Sequence, residues 1–398
     1  MDALALDLTA ALPDAQLRKA MSGVDVVVNT VGIFLESGQQ TFDAVHVNGP
    51  RAVFEAARAA NVRRWVQLSA LGADAESPLP YFASKGRMDA ILRDGDGDGH
   101  VAGSRSQPEV AIVKPSLVFA PEGASTRWFA QLASLPLTPL PGHGRHAVQP
   151  VHLDDLVDAL VSLVESPEVP RVLHAVGPQS LPMRDYLQVF KRAMATGRAF
   201  VAIPMRLLRR IAAVAPRIGR LPVDADALSM LEAGSTADAA PFQRWLGRPA
   251  RGAAAFIGHD TAGRMRRDAV LAWTVPVMRL ALTAMWIATA VVSLWVYPRD
   301  LSLAMLAQVG LHGGAAVAAL WAGALADVAL GLGMLLARIR TAVYALQLLL
   351  VAAYTAIITV WLPVQWAHPF GPVLKNVPLL AMILALLMLD RTHGPDRR

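Results

Sequence analysis

Four long apolar stretches near the C-terminus constrain this chain more than any other feature: about Val275–Tyr297, Gly314–Leu336, Ala342–Leu362 and Val373–Leu389. Each runs roughly 17–23 residues, the length that crosses a hydrocarbon core of about 30 Å. A buried helix of a soluble bundle shows a polar face about every 3.6 residues, and here that face is nearly absent. An all-α bundle of four transmembrane helices is therefore expected. The fourth stretch is short, with Lys375 and Pro378 near its start. Asp327 lies inside the second. A carboxylate there is costly and tends to face a bundle interior or a functional path; a neutral Asp hydrogen-bonded to a neighbouring helix is the plainer alternative.

Arginine asymmetry sets the orientation. Arg264, Arg266, Arg267, Arg279, Arg338, Arg340, Arg391, Arg397 and Arg398 fall on one side, Arg299 and Lys375 on the other. Both termini are thus expected in the cytoplasm, with the chain a multi-pass protein of the inner (plasma) membrane. Trp295, Tyr297, Trp361 and Trp366 gather at the outer ends, as an interfacial aromatic belt does. Residues 1–30 lack a charged start followed by an apolar run, so no signal peptide is read there.

Composition narrows the rest. With 54% hydrophobic and 17% charged residues, the chain is neither disordered nor a coiled coil. Zero cysteine excludes a disulfide scaffold, thiolate zinc sites and a catalytic cysteine. The net charge of +6 comes with no basic face interleaved with aromatics, so no nucleic-acid partner is expected. The ten histidines are scattered, and no metal site is expected.

From residue 1 to about 200, strand-like and helix-like runs alternate. Leu4–Leu6, Asp25–Val31, Arg64–Ser69 and Val110–Pro115 read as strands; Asp14–Met21, Phe42–Ala60, Tyr81–Leu92, Leu153–Glu165 and Leu181–Thr196 read as helices. Asp25–Val31 is a continuous apolar run, the pattern of a strand buried on both faces. This alternation indicates an α/β domain, a Rossmann-like parallel sheet with helices on both faces. Its ligands bind at the carboxyl ends of the strands. The expected division is an α/β domain over 1–233, a linker over 234–268 rich in Ala, Gly and Arg, and the membrane domain over 269–398. Pro204–Arg220 is basic and amphipathic, suited either to packing on the sheet or to an anionic membrane surface.

Three features sit where chemistry is expected. Asn29, Val31 and Gly32 close one strand, and a glycine there lets the backbone approach a ligand. Ser69 closes the next. Twelve residues on, Tyr81 and Lys85 stand at i and i+4, on one face of a helix. An ammonium beside a phenol lowers the phenol pKa. Tyr81 would then be an acid/base beside hydride transfer, with Ser69 donating a hydrogen bond to the substrate oxygen and so polarising the carbonyl.

In order, Asp7–Thr9 (DLT), Val28–Gly32 (VNTVG), Ser69–Ala73 (SALGA), Tyr81–Lys85 (YFASK), Val113–Gly123 (VKPSLVFAPEG) and Gln149–Leu160 (QPVHLDDLVDAL) resemble the atypical short-chain dehydrogenases/reductases. The pattern is nearest to NmrA-like proteins and the group around the 39-kDa accessory subunit of respiratory complex I. The C-terminal half, with Trp366–Leu380 (WAHPFGPVLKNVPLL), resembles the DoxX-like four-helix module. The resemblance implies an NAD or NADP cofactor. It places Asp7 and Leu8 at the adenine end, and Asn29, Val31 and Gly32 along the adenine ribose and phosphates. Ser69, Tyr81 and Lys85 form the implied catalytic set, with Lys85 also on ribose hydroxyls. Pro115, Ser116 and Val118 lie near the nicotinamide. Ala120 stands where the family has glycine.

The glycine-rich phosphate-binding turn of a dinucleotide fold is not found in the sequence. The glycine cluster Asp94–Gly99 is acidic and reads as a loop. The chain is therefore expected to lack two strand–helix units at its front, roughly 50–60 residues. As it stands it is expected to bind a dinucleotide weakly or not at all. Two functions follow. One is a membrane-anchored NAD(P)-dependent oxidoreductase acting on a lipophilic carbonyl or quinone-like substrate. The other is a non-catalytic dinucleotide-binding accessory or sensor protein with a membrane-protein partner.

Overall fold

The computed structural model describes residues 5–9, 14–94, 107–197, 199–218, 225–369 and 371–392. Leu4, the glycine cluster beyond Asp94, and Arg397 and Arg398 lie outside the described residues. The chain divides at Ala269/Val270 into two compact units. The boundary falls within one helix, α10 (His259–Val291).

In the first unit the strands are β1 (Val26–Asn29), β2 (Arg64–Leu68), β3 (Glu109–Pro115), β4 (Val118–Phe119), β5 (Thr138–Pro141), β6 (Ala147–Val148), β7 (Val151–His152), β8 (Val172–Ala175), β9 (Leu181–Pro182) and β10 (Phe200–Ile203). The main sheet has the order β1-β2-β3-β8, every pair parallel. Its helices are α1 (Asp14–Met21), α2 (Gly49–Ala59), α3 (Pro80–Asp94), α4 (Ala124–Ser134), α5 (Leu153–Glu165), α6 (Met183–Ala193), α7 (Met205–Ile218), α8 (Ala225–Ala233) and α9 (Ala240–Leu246).

Alternation along the central strands explains the layering. Trp65, Val110 and Ile112 join Leu17, Phe54, Met88 and Leu92 of α1, α2 and α3 in one core. Their neighbours Val66, Ala111 and Val113 join Leu156, Leu163 and Phe242 of α5 and α9 in another. A third core gathers Phe129, Tyr186, Phe190 and Phe256 beyond the sheet. Arg64, fully buried at the start of β2, pairs with Glu109 at 2.6 Å and donates to the carbonyls of Leu163, Ser166 and Pro167. It thereby satisfies two of the bare carbonyls at the C-terminus of α5, those of Leu163 and the capping Ser166.

Three expectations are corrected. Ala5 and Leu6 are not in a strand; Leu6 packs as a side chain on the α1–α2 core. β1 is not buried on both faces: among the described residues it has one strand neighbour, and Val28 is 38% exposed. Residues 234–268 are not a linker. Phe242 and Phe256 are buried, and Arg248 and Arg251 both bind the fully buried Asp155 carboxylate at the start of α5. Sparse aromatic and arginine anchors hold this segment, so its Ala- and Gly-rich average concealed them.

The second unit continues α10 and adds α11 (Arg299–Gln308), α12 (Gly313–Gly333), α13 (Arg340–Trp361) and α14 (Asn376–Thr392). Among the described residues three helical segments are long and apolar enough to cross a membrane: His259–Val296, Gly313–Gly333 and Arg340–Trp361. At 17 residues α14 is shorter, and α11 was not anticipated. Leu282, Trp286, Tyr344, Val351, Ile383 and Leu386 form the core. Polar groups are also drawn inside. Arg279 pairs with Asp390 and donates to the Tyr344 hydroxyl at 3.1 Å, while Arg340 lies 3.7 Å from the same carboxylate. Asp327 is buried on α12.

Candidate active site

The carboxyl ends of β1, β2 and β3 form one rim. The chain stays zipped past the ladder, with Ser69 N–H donating to Val113 O at 2.8 Å and Leu71 N–H to Pro115 O at 2.8 Å. Asn29 donates to Gln67 Oε1 at 3.0 Å and accepts from Val31 N–H at 3.1 Å, which fixes the turn leaving β1.

Lys85 is buried on α3 and its ammonium donates to the carbonyls of Val31 and Leu68, both at 3.2 Å. Two of its three N–H bonds are thus used, and one remains. Burial brings its pKa down from 10.5 to about 8, against the opposing pull of Asp89. A Cβ at Gly32 would lie 3.0 Å from the Lys85 nitrogen, so the bare backbone lets the ammonium sit there without giving way.

His46 was not anticipated from the sequence. It lies on a π-helical turn, Asp43–Asn48, and is buried. Such turns recur at functional sites. Its Nε2 accepts from Ile33 N–H at 3.0 Å, so Nδ1 carries the proton and donates to Ser84 Oγ at 2.8 Å. Ser84 Oγ in turn donates to Tyr81 O at 2.9 Å. Burial, then the Lys85 ammonium, holds the imidazole down to about 4, and it is neutral at ordinary pH.

Tyr81 stands in an aromatic enclosure of Phe34, Phe42, His46 and Phe82, with ring centroids 5.2, 6.0, 5.6 and 5.5 Å away. Burial pushes its phenol above 10.0. The sequence reading had the Lys85 ammonium lowering it. Here that ammonium is engaged by strand-end carbonyls, and no hydrogen bond joins it to Tyr81 among the described residues.

Ser69 Oγ donates to Asp89 Oδ2 at 2.8 Å, and Lys114 lies 3.0 Å from the same oxygen. Asp89 is fully buried; burial raises its pKa, while Lys114 and Ser69 oppose the rise. Its Oδ1 has no hydrogen-bond partner. Lys114 is tied to Ala73 O at 2.8 Å. The Ser69 proton is therefore committed to Asp89, so the expected donation to a substrate oxygen is not available here, and the hydroxyl oxygen remains an acceptor. Gly86, next to Lys85, meets the Asp74–Ala75 backbone so closely that a Cβ would stand 2.1 Å from Asp74 C.

The remaining expected residues spread along the same end of the sheet. Asp7 accepts from Thr9 N–H at 2.9 Å and from its hydroxyl at 2.7 Å, which lowers the carboxyl pKa. Leu8 lies against Gly49 at the start of α2. Pro115 ends β3, Ser116 Oγ donates to Gln149 O, and Val118 pairs with Val151. The structure thus joins Asn29, Val31 and Gly32 to Lys85, and Ser69 to Asp89 and Lys114. Asp7 and Ser116 make no hydrogen bond to either group among the described residues. Among those residues, too, no three His, Asp or Glu side chains gather as a metal site.

A Rossmann-like parallel sheet thus carries Ser69 just past β2 and Tyr81 and Lys85 on α3. Residues 3–115 match the family described as NAD(P)H-binding, and residues 283–384 match the DoxX-like family. Residues 3–115 are thus similar to NAD(P)H-binding domains and residues 283–384 to DoxX-like domains, the latter in a region whose helices are long and apolar enough to cross a membrane. It is similar to the 40 kDa subunit of mitochondrial NADH-ubiquinone oxidoreductase of Neurospora crassa, 26% identical over 191 residues, 48% of this chain and 47% of that protein. A ceramide reductase of Caulobacter vibrioides is 28% identical over 152 residues, 38% of this chain and 44% of the relative. Among solved structures, a nucleoside-diphosphate-sugar epimerase of Staphylococcus aureus aligns with TM-score 0.48 and 16% identity, covering 63% of this chain and 81% of that one. The chain spans about half the length of the curated relatives it matches.

Proposed function

We propose that this protein is a membrane-anchored NAD(P)H-dependent reductase of a lipophilic carbonyl substrate. The observation that carries the reading is the Lys85 ammonium, buried at the strand ends with one N–H unused beside the bare backbone of Gly32. That cradle fits the ribose end of a dinucleotide, with Asn29 and Val31 shaping the turn beside it. The dinucleotide supplies the hydride when bound. Asp7 and Leu8 serve its adenine end, and Pro115, Ser116 and Val118 its nicotinamide end, as family resemblance implies. Ser69 and Tyr81 serve the reacting carbonyl.

The raised Tyr81 pKa suits this direction of reaction, because a phenol that keeps its proton is an acid. Tyr81 would donate that proton to the carbonyl oxygen of the substrate. Ser69, with its own proton held by Asp89, accepts from the product hydroxyl. The similarity to a ceramide reductase supports a lipid substrate. We take α14 as a fourth crossing, with both termini cytoplasmic, because the arginine asymmetry favours it.

A second reading, a non-catalytic dinucleotide-binding accessory protein, is favoured by the aromatic enclosure of Tyr81 and the similarity to a respiratory-complex subunit. One experiment separates the two. The full chain in lipid vesicles is assayed for NADH- and NADPH-dependent reduction of long-chain carbonyl lipids, ceramide precursors included. Tyr81→Phe is expected to lower turnover about 100-fold or more while calorimetry shows dinucleotide affinity unchanged. Tight dinucleotide binding with no turnover, indifferent to Tyr81→Phe, establishes the accessory role instead.

A further inference from the structure

We propose that the outer face of α7 is a docking surface for an anionic lipid bilayer. The inner face of this helix is set by Ala212, which is buried, and by the half-buried Leu208. The outer face carries an aliphatic stripe. Leu207 and Ile211, one turn apart, are 49% and 47% exposed. Arg206 and Arg210, also one turn apart, are exposed and lie about 100° round the helix from that stripe. Among the described residues neither has an ion-pair partner. Arg209 differs, because it is neutralised by both oxygens of Glu232 at 2.9 and 2.7 Å. The cationic charge left over is thus the charge beside the aliphatic stripe.

A helix bathed in water gains nothing by exposing two aliphatic side chains at this spacing. A helix lying in a membrane interface does gain, since the chains enter the acyl boundary while arginines meet the headgroups. Two observations select a bilayer as the occupant. The charge is complementary to anionic headgroups. The same chain carries three helices long and apolar enough to cross a membrane, so a bilayer is a permanent companion of the first unit. A contrasting stripe on α5, Leu153, Val157 and Val161, is comparably exposed, but the arginines beside it, Arg248 and Arg251, are taken up by Asp154, Asp155 and Asp158, and exposed Glu165 at its end has the wrong sign for such a surface. The inference stands apart from the proposed reductase chemistry and survives its failure.

The absence of cysteine makes single-site labelling direct. The full chain carrying Leu207→Cys or Ile211→Cys, labelled with an environment-sensitive fluorophore, is reconstituted in phosphatidylcholine vesicles with and without phosphatidylglycerol. A quencher is carried on the lipid acyl chains, and Val157→Cys is the reference. Both α7 probes are expected to be quenched several-fold more than the reference, and more so with phosphatidylglycerol. Adding Arg206→Gln and Arg210→Gln is expected to weaken the anionic preference by about 25-fold, at about fivefold per arginine. Probes as unquenched as Val157→Cys in both vesicles overturn the proposal, as does quenching indifferent to phosphatidylglycerol. Shielding that persists in detergent and grows with protein concentration also overturns it, because a second copy then covers the face.

Discussion

The two units bury opposite things. In the first, the central strands put Trp65, Val66 and Val113 out of reach of solvent, and water-facing positions are mostly polar. In the second, Leu325, Leu349 and Val360 stand outward, with Leu349 68% exposed, while Asp327, Gln347 and the Arg279–Asp390–Arg340 group are drawn inward. The chain is the same and the rule is the same: each side chain goes to the environment that costs least. What differs is the solvent, water around one unit and hydrocarbon around the other.

Three measurements break or sharpen that contrast. The largest effect is expected at Asp390. Asp390→Leu leaves the partly buried Arg279 and Arg340 without their carboxylate, and breaking a fully buried group of this kind costs about 3–5 kcal/mol, an upper bound for this one. Thermal unfolding of the full chain in detergent reads the loss; a midpoint within a degree or two of the parent would show that these arginines reach water. Next comes a matched pair of exposed positions. Leu349→Asp is expected to impair membrane insertion, by about 3 kcal/mol for a carboxylate at a helix centre, whereas Val161→Asp on α5 changes stability by about 0.5 kcal/mol or less. Equal tolerance at both sites, read as membrane-fraction yield, would abolish the distinction between the two solvents.

The smallest is a pH effect on the first unit. His46 titrates near about 4 when folded instead of 6.5. Between those values the unfolded chain binds a proton that the folded chain refuses. Stability is therefore complete above pH 6.5 and falls as the pH drops toward 4, by on the order of 2 kcal/mol. His46→Gln should flatten this part of the denaturant-midpoint profile, and an unchanged slope would assign it to other groups.

Much of the fold was legible because its signals are local. Leu153–Glu165 follows helical spacing and is the helix α5. Arg64–Ser69 and Val110–Pro115 are short β-branched or aromatic runs and become β2 and β3. The site was legible only in part. Ser69, Tyr81 and Lys85 could be picked by type and spacing, but their hydrogen bonds run to residues far along the chain. Lys85 reaches back to Val31, His46 reaches Ile33 and Ser84, and Ser69 finds Asp89. No local period encodes these. One compositional signal was available: the chain has five lysines, and Lys85, Lys114 and Lys191 are all largely withdrawn from solvent. A residue so scarce and so costly to bury marks a built contact, and it would have pointed to Lys114 and then to Asp89.

Gly86 carries a consequence of another kind. It performs no chemistry, yet here the helix bearing Tyr81 and Lys85 rests backbone to backbone on Asp74 and Ala75, close to where Asp74 N–H donates to Phe82 O. A single methyl group here acts as a wedge under the lever that carries both side chains. In a saturation-mutagenesis map, position 86 would therefore score beside the residues that touch substrate, and a reader of that map alone would mistake a hinge-pin for a reagent.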